Sequence, residues 1–188
     1  MKKNKQAKRP IENSPPQESR NNQPSDAAHE PAFYKTNDFV GVMHFVGASL
    51  LRSELEWSGF TFDDAVGLTC WELRVGLGLA LLAAGAWILK LSYGELERFS
   101  QPYEPGKPTT KLVTTGPFSW SRNPAYMANL LCIAPGFAVL CNDLWILVFV
   151  PVTAIVFYFL LIAPEEKYLK ARFGQEWDDY CKVTRRWL

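Results

Sequence analysis

Histidine, paired cysteines and net charge are scarce in this sequence. It holds two histidines, and its four cysteines are scattered without a CxxC pair, so the spacing of an ordinary zinc site is absent. The formal net charge of +1 argues against a nucleic-acid-binding protein, which needs a basic surface. No nucleophile, histidine and acid can be combined into a catalytic triad. We therefore expect neither a metal nor a nucleic acid among its partners.

The N-terminal part of the chain lacks the apolar residues that build a core. Its first 37 residues contain five prolines among Asn, Gln, Ser and charged residues, a composition typical of disordered chain. No apolar run follows the basic start at the distance that a signal peptide requires. We predict a disordered, basic and proline-rich tail over 1–37 and an ordered domain over 38–188.

Long apolar runs dominate the rest of the sequence. Three of them, at 73–91, 124–140 and 144–163, approach the ~20 residues that cross ~30 Å of hydrocarbon. Together they leave too little amphipathic sequence to cover three buried helices in a soluble protein. The sequence predicts an all-α, polytopic membrane protein.

A shorter apolar segment at 39–51 is either a short fourth span or a helix lying in the membrane interface. Its histidine, His44, is expected to be a packing residue with satisfied hydrogen bonds. The positive-inside rule places the basic segment 92–123 and the basic C-terminal tail in the cytoplasm. A cytoplasmic N-terminal tail then requires four spans, which we favour, whereas three spans put the N-terminus outside.

The second and third runs are separated by Asn142 and Asp143 alone, so they must form an antiparallel helical hairpin. Each arm has about the length of the bilayer, and the open ends emerge on the same side. This predicts that Arg122 lies within reach of Glu165 and Glu166.

The polar residues at the open end suit a zwitterionic ligand. Asn123 and Pro124 are typical of a helix N-cap and first position, and the N–H groups of a helix start attract an anion. Arg122 adds a fixed positive charge. Glu165 and Glu166 would hold a cationic group at the same depth.

A plainer interpretation of the same residues is also open. Arg122 would be a flanking charge that reaches the lipid headgroups, and Glu166 would only pair with Lys170 one turn along its helix. The sequence after 163 predicts an amphipathic cytoplasmic end helix that starts at Pro164 and is interrupted at Gly174.

Three stretches in order, LVTTGPFSWSRNPAYM, PEEKYLKARFGQEWDDY and the terminal VTRRWL, resemble the membrane methyltransferases of the isoprenylcysteine carboxyl methyltransferase and phospholipid methyltransferase group. The pattern of that group is LVxxGxYxxxRHPxY, a helical hairpin, and EExxLxxxFGxxYxxY, and the match covers about 73–188. Two positions depart from it. Asn123 replaces the histidine of RHP, and Leu161 stands where isoprenylcysteine enzymes have an arginine associated with substrate.

The resemblance implies a multi-pass methyltransferase that uses S-adenosylmethionine and acts on a lipid-like or prenylated acceptor, either an isoprenylcysteine carboxylate or a phospholipid amine. Its active site would face the cytoplasm, from the endoplasmic reticulum of a eukaryote or the inner membrane of a bacterium. Arg122, Glu165 and Glu166 would be the catalytic residues, with a glutamate taking the proton of an amine acceptor. The residues carried over as cofactor-binding are Leu112, Val113, Phe118, Asn123, Pro124, Tyr126 and Glu165.

Two other functions fit parts of the sequence. FGQEWDDYCKV also resembles the KYGxxWxxYCxxV ending of sterol-type membrane reductases that use NADPH, although those proteins have more spans. A small membrane adaptor without enzymatic activity is the second alternative, in which the polar motifs only end helices. No GxGxxG follows a predicted strand, so a Rossmann-type methyltransferase is not predicted.

Overall fold

The computed structural model describes residues 37–54, 60–67, 70–103 and 107–188. All the regular structure in these ranges is helical, which confirms the all-α prediction. Except for Asn37, the tail predicted to be disordered lies outside the described residues. The helices of the described chain are α1 (Asn37–Glu54), α2 (Phe62–Val66), α3 (Trp71–Arg98), α4 (Pro124–Cys141), α5 (Trp145–Phe173) and α6 (Gln175–Val183).

Helices α3, α4 and α5 are each long and apolar enough to cross a membrane. The most apolar window of α3 is only 17% buried, and large side chains such as Leu73, Leu79 and Trp87 are exposed on it. A helix that is apolar on all sides and largely uncovered needs lipid around it. The three long runs of the sequence are therefore membrane-spanning helices, as predicted.

Two glycines bring α3 and α4 close together. A Cβ added at Gly78 would lie 3.1 Å from the carbonyl oxygen of Gly136, and one added at Gly136 would lie 3.1 Å from that of Gly78. Small residues at facing positions allow backbones to approach in this way inside a membrane. Helix α3 is thus fixed along one arm of the hairpin.

The predicted hairpin of α4 and α5 is present. Asn142 adopts a left-handed conformation with φ of 53° just after the end of α4, a common way to end a helix. The carboxylate of Asp143 then accepts a hydrogen bond from the N–H of Trp145 at 3.0 Å and satisfies a free donor at the start of α5. Two short polar residues thus make the whole reversal.

Helix α1 is longer than its apolar part, which runs over Val40–Leu50 and is shorter than a membrane span. It packs along the first half of α5, where Gly47 lies against the ring of Phe149. Whether α1 crosses the membrane, and with it the four-span topology, stays a prediction.

The predicted helix start at Pro164 is wrong. Helix α5 continues through Pro164 to Phe173, and the break falls at Gly174, which has φ of 52°. A π-helical stretch, Tyr158–Ile162, lies just before the proline. Its wider turn leaves room for a residue that has no N–H to donate. Only α6 is a separate amphipathic end helix, with Trp177 and Tyr180 on its buried side.

Candidate functional site

The open end of the hairpin brings together the residues just before α4 and the C-terminal part of α5. Nη2 of Arg122 lies 3.1 Å from Oε1 of Glu166, and both side chains are largely buried, at 11% and 16% exposure. The predicted proximity across the hairpin is confirmed, because arms of equal length place the two residues at one level. The alternative in which Glu166 pairs with Lys170 is wrong, since Lys170 binds Asp178 at 3.1 Å.

Glu166 is held by a second arginine. Nη2 of Arg186 lies 2.6 Å from Oε2 and its Nε lies 3.0 Å from Oε1 of the same carboxylate. This contact raises the pKa of Arg186, because the carboxylate favours the charged guanidinium. With two cations on one anion, Glu166 has its charge fully offset within the protein.

Arg122 also fastens the C-terminal segment, residues 184–188. Its backbone N–H donates to the carbonyl of Arg185 at 2.9 Å, and its Nη1 donates to the carbonyl of Thr184 at 3.1 Å. The guanidinium lies 5.7 Å from the centre of the Trp177 ring. The donors of Arg122 are therefore directed to the protein itself.

Asn123 stands at the N-cap position of α4, and its carbonyl accepts the first helical bond, from Met127 at 3.0 Å. The expected capping by its side chain is wrong. Its Nδ2 instead donates to the carbonyl of Arg186 at 3.1 Å, and the hydroxyl of Ser121 donates to that same carbonyl at 3.0 Å. The amide of Asn123 therefore holds the C-terminal segment. We call the four residues that hold this segment, Ser121, Arg122, Asn123 and Glu166, the clamp.

Glu165, the neighbour of Glu166, has a different environment. Its carboxylate has no hydrogen bond or ion pair with any residue that the structure describes, although the side chain is half-buried. The carboxylate lies within electrostatic range of the buried hydroxyl of Tyr126. Tyr93 lies within electrostatic range of the same hydroxyl. The Tyr126 ring packs against Phe157 with centroids 5.2 Å apart. An isolated carboxylate in such surroundings favours a cationic partner.

The remaining predicted cofactor residues lie in the loop before α4. Leu112 and Val113 are buried, and Leu112 packs against Trp177 and Tyr180 of α6. The hydroxyl of Tyr180 donates to the carbonyl of Phe118 at 2.6 Å, and burial raises the pKa of Tyr180. Because Trp177 also lies under the guanidinium of Arg122, α6 connects this loop to the clamp.

Ser121, Thr184 and Arg186 belong to the site but were not among its predicted residues. Thr184 and Arg186 lie in the terminal stretch VTRRWL, for which the sequence predicted no role in the site. The charge balance of the sequence could have indicated Arg186. Two adjacent glutamates were predicted at the open end, with only one arginine to pair with them. A carboxylate near a membrane needs a cationic partner or a ligand, which pointed to an unassigned arginine.

A family model described as phospholipid methyltransferase matches residues 73–176 of this chain. The match runs from the first long span through the RNP motif and both glutamates to the start of α6. The chain belongs to the phospholipid methyltransferase family, whose members are membrane methyltransferases. Together with its three membrane-length helices, this makes it an integral membrane protein of that class.

Two curated relatives are named for metal resistance. The nickel-cobalt-cadmium resistance protein NccN of Alcaligenes xylosoxydans xylosoxydans is 32% identical over 82 residues, which are 44% of this chain and 38% of the relative. The cobalt-zinc-cadmium resistance protein CzcN of Cupriavidus metallidurans is 29% identical over 143 residues, which are 76% of this chain and 58% of the relative. The chain spans less than two thirds of either relative. No solved structure matches it at a significant level.

Proposed function

We propose that this protein is an S-adenosylmethionine-dependent methyltransferase that acts on a lipid-like acceptor at the cytoplasmic face of its membrane. Membership of the phospholipid methyltransferase family supports methyl transfer. The observation that carries the cofactor assignment is the contrast between two adjacent glutamates. Glu166 is bound by two arginines, whereas Glu165 has no such partner among the described residues.

The cofactor suits this distribution of charge. When bound, S-adenosylmethionine supplies an electrophilic methyl group on a sulfonium. Glu165 would hold a positively charged group of the cofactor, beside the hydroxyl of Tyr126, and so recover the solvation that a half-buried carboxylate loses. The N–H groups at the start of α4, after Asn123 and Pro124, suit its carboxylate. The residues that would form the apolar wall are Leu112, Val113 and Phe118.

Arg122 and Glu166 act in this proposal as positioning residues. Glu166 is paired with Arg122 and with Arg186. Neither Arg122 nor Glu166 therefore needs the cofactor as a partner. The clamp instead fixes the start of α4 against α5. Holding the donor and acceptor groups in place is the main contribution that a protein makes to a direct group transfer.

The acceptor site has no arginine at the position that isoprenylcysteine enzymes use. Leu161 stands there, is 3% exposed and packs in one cluster with Val40, Tyr126 and Phe157. A buried leucine offers nothing to a carboxylate acceptor. This favours an acceptor without a carboxylate, such as a lipid amine, and Glu165 would be the base that takes its proton.

Isothermal titration of S-adenosylmethionine into detergent-purified protein tests the proposal. We expect wild type to bind, and Glu165→Gln to bind about 10- to 100-fold more weakly, the usual worth of a hydrogen bond to a charged group. Glu176→Gln, on the exposed side of α6, is the matched control and should bind as wild type does. NADPH titrated separately tests the reductase alternative. Binding of NADPH alone, or equal affinity in wild type and Glu165→Gln, would contradict the proposal.

NccN and CzcN are named for metal resistance. Among the described residues, no group of three His, Cys, Asp or Glu side chains is placed to hold a metal ion. A methylated product of this protein could still connect it to metal resistance. Comparing lipid extracts of expressing cells with and without added cobalt would show whether a methylated species changes.

A further inference from the structure

A cavity of about 370 Å³ lies inside the membrane part of the fold and takes no part in the site described above. It is lined by α1, α3, α4 and α5, through mainly apolar residues such as Leu89, Leu130 and Phe157. Four polar side chains interrupt this apolar lining, namely those of His44, Tyr93, Asn129 and Thr153. Polar side chains within membrane spans are costly and usually serve a function.

The pair formed by His44 and Thr153 is the most buried of these polar groups. The exposed fractions are 5% and 7%, and Nδ1 of the ring lies 2.5 Å from Oγ1 of the threonine. The backbone carbonyl of Ile146 is also near the ring, yet no hydrogen bond of acceptable geometry reaches Nε2. The expectation that His44 is fully satisfied thus holds for one ring nitrogen only.

Asn129 gives a second, independent indication. Its amide lines the cavity and makes no hydrogen bond with the described residues, and it is the first residue of a π-helical stretch, Asn129–Ile133. Such stretches are frequent at functional sites because they redirect side chains from the helix. An asparagine amide and a buried imidazole nitrogen, each without a hydrogen bond of acceptable geometry among the described residues, belong to the lining of one apolar cavity. Such groups favour a ligand that brings a polar group into the cavity.

One residue of the cavity lining, Tyr93, lies near the candidate methyl-transfer site. It is in electrostatic range of Tyr126, and Tyr126 is in electrostatic range of Glu165. Along α5, twelve residues separate Thr153 from Glu165, which is about 18 Å at 1.5 Å per residue. The distance suits an extended lipid chain, with one polar group near the middle of the membrane.

We propose that this cavity is an intramembrane binding site for an amphiphile that carries a hydroxyl group on its chain, and that His44 and Thr153 recognise the hydroxyl. A hydroxyl both donates and accepts, so it satisfies a ring nitrogen in either tautomer. The apolar lining takes the chain. This amphiphile would also be the methyl acceptor, and that role rests on the proposed function. Its binding in the cavity does not depend on the proposed function.

Photolabelling tests the binding directly. The protein in lipid nanodiscs is exposed to a long-chain alcohol that carries a diazirine in its chain, and in parallel to the hydrocarbon of the same length with the same diazirine, which neither donates nor accepts a hydrogen bond. Labelled peptides are then quantified by mass spectrometry. We expect the alcohol to label peptides from α1 and α4 about fivefold more than the hydrocarbon, the worth of one hydrogen bond.

Three variants make the test specific. His44→Leu removes the ring, Thr153→Val removes the hydroxyl at nearly constant volume, and His44→Gln keeps a hydrogen-bonding group. We expect the first two to lose the preference for the alcohol and the third to retain part of it. Val152→Ala, at an exposed position next to Thr153, is the matched control and should keep the preference. Circular dichroism of each variant shows that its helices are intact.

Two results would overturn the proposal. One is equal labelling by alcohol and hydrocarbon in wild type. The other is a preference that survives in Thr153→Val, the variant with the smallest change in packing. The labelling uses no cofactor, so it is independent of the titration with S-adenosylmethionine. A protein that binds the alcohol but not the cofactor would refute the proposed function and leave this site standing.

Discussion

The two ends of the α4–α5 hairpin are both held by arginine and carboxylate groups, yet they differ in one respect. At the closed end, Nη1 of Arg74 lies 2.9 Å from both carboxylate oxygens of Asp63, which also accepts from Asn142 at 2.8 Å. Asp64 and Asp143 each have a hydrogen bond as well. At the open end, Glu166 has two arginines and Glu165 has no hydrogen bond or ion pair among the described residues.

The difference between the two ends separates carboxylates that stabilise the fold from carboxylates that are available to a ligand. A carboxylate whose partners lie within the protein stabilises the fold and is satisfied without a ligand. One that is half-buried and unpaired costs free energy unless a ligand completes it. By this criterion the closed end holds the hairpin together, and the open end is where we propose that a ligand binds.

The largest effect is expected from the difference between the two glutamates. Glu166→Gln leaves Arg122 and Arg186 without their anion, so we expect the free energy of unfolding to fall by about 3 kcal/mol, the lower part of the range for breaking a buried ion pair. Glu165→Gln breaks no such pair and should leave it within about 0.5 kcal/mol. Unfolding of both variants in mixed detergent micelles, followed by circular dichroism, measures this. Equal losses would show that the two carboxylates do the same work.

A smaller effect is expected at the closed end. Arg74→Ala should lower the free energy of unfolding by about 1–2 kcal/mol, less than a buried pair because the side chain of Asp63 is partly exposed, at 36%. The affinity for S-adenosylmethionine should not change, since the proposed site lies at the other end of the hairpin. The same unfolding assay and titration check both values. Weakened cofactor binding in this variant would remove the distinction between the two ends.

The smallest effect tests the geometry of the clamp. Arg186→Lys keeps the charge but loses the two-point contact with Glu166, so we expect a loss of about 1 kcal/mol in unfolding free energy. Arg185→Lys is the matched control, because among the described residues the side chain of Arg185 reaches only the carbonyl of Leu188, at 3.4 Å and on the surface. Comparable losses in both variants would mean that charge alone holds the segment.

The hairpin and the meeting of Arg122 with Glu166 could be predicted because they follow from local facts. Two polar residues between long apolar runs allow only one arrangement, and helix rise then fixes which residues share a level. Pro164 shows the limit of such reasoning. Its preference for a helix start was outweighed by the continuous helix on both sides of it, together with the π-helical stretch before it.

The contacts that sequence reasoning missed join distant parts of the chain. The side chain of Asn123 bonds a carbonyl 63 residues away, and His44 meets Thr153 across 109 residues. Side-chain capping by Asn123 and a fully satisfied packing histidine are what local patterns predict, and the fold departs from both. Neither expectation contains the backbone of another segment or the shape of a cavity, so the actual partners could be found only in the fold.

Each arm of the hairpin contains a π-helical stretch, Asn129–Ile133 in α4 and Tyr158–Ile162 in α5. A π turn holds one more residue than an α turn over nearly the same length. Both ends of the hairpin are anchored, one by Asn142 and the other by Glu166, so the arms cannot slide when a residue is gained or lost. The middle of each arm is therefore where this protein can absorb a change in chain length. Insertions and deletions during its evolution are expected at the two π-helical stretches, in the membrane interior.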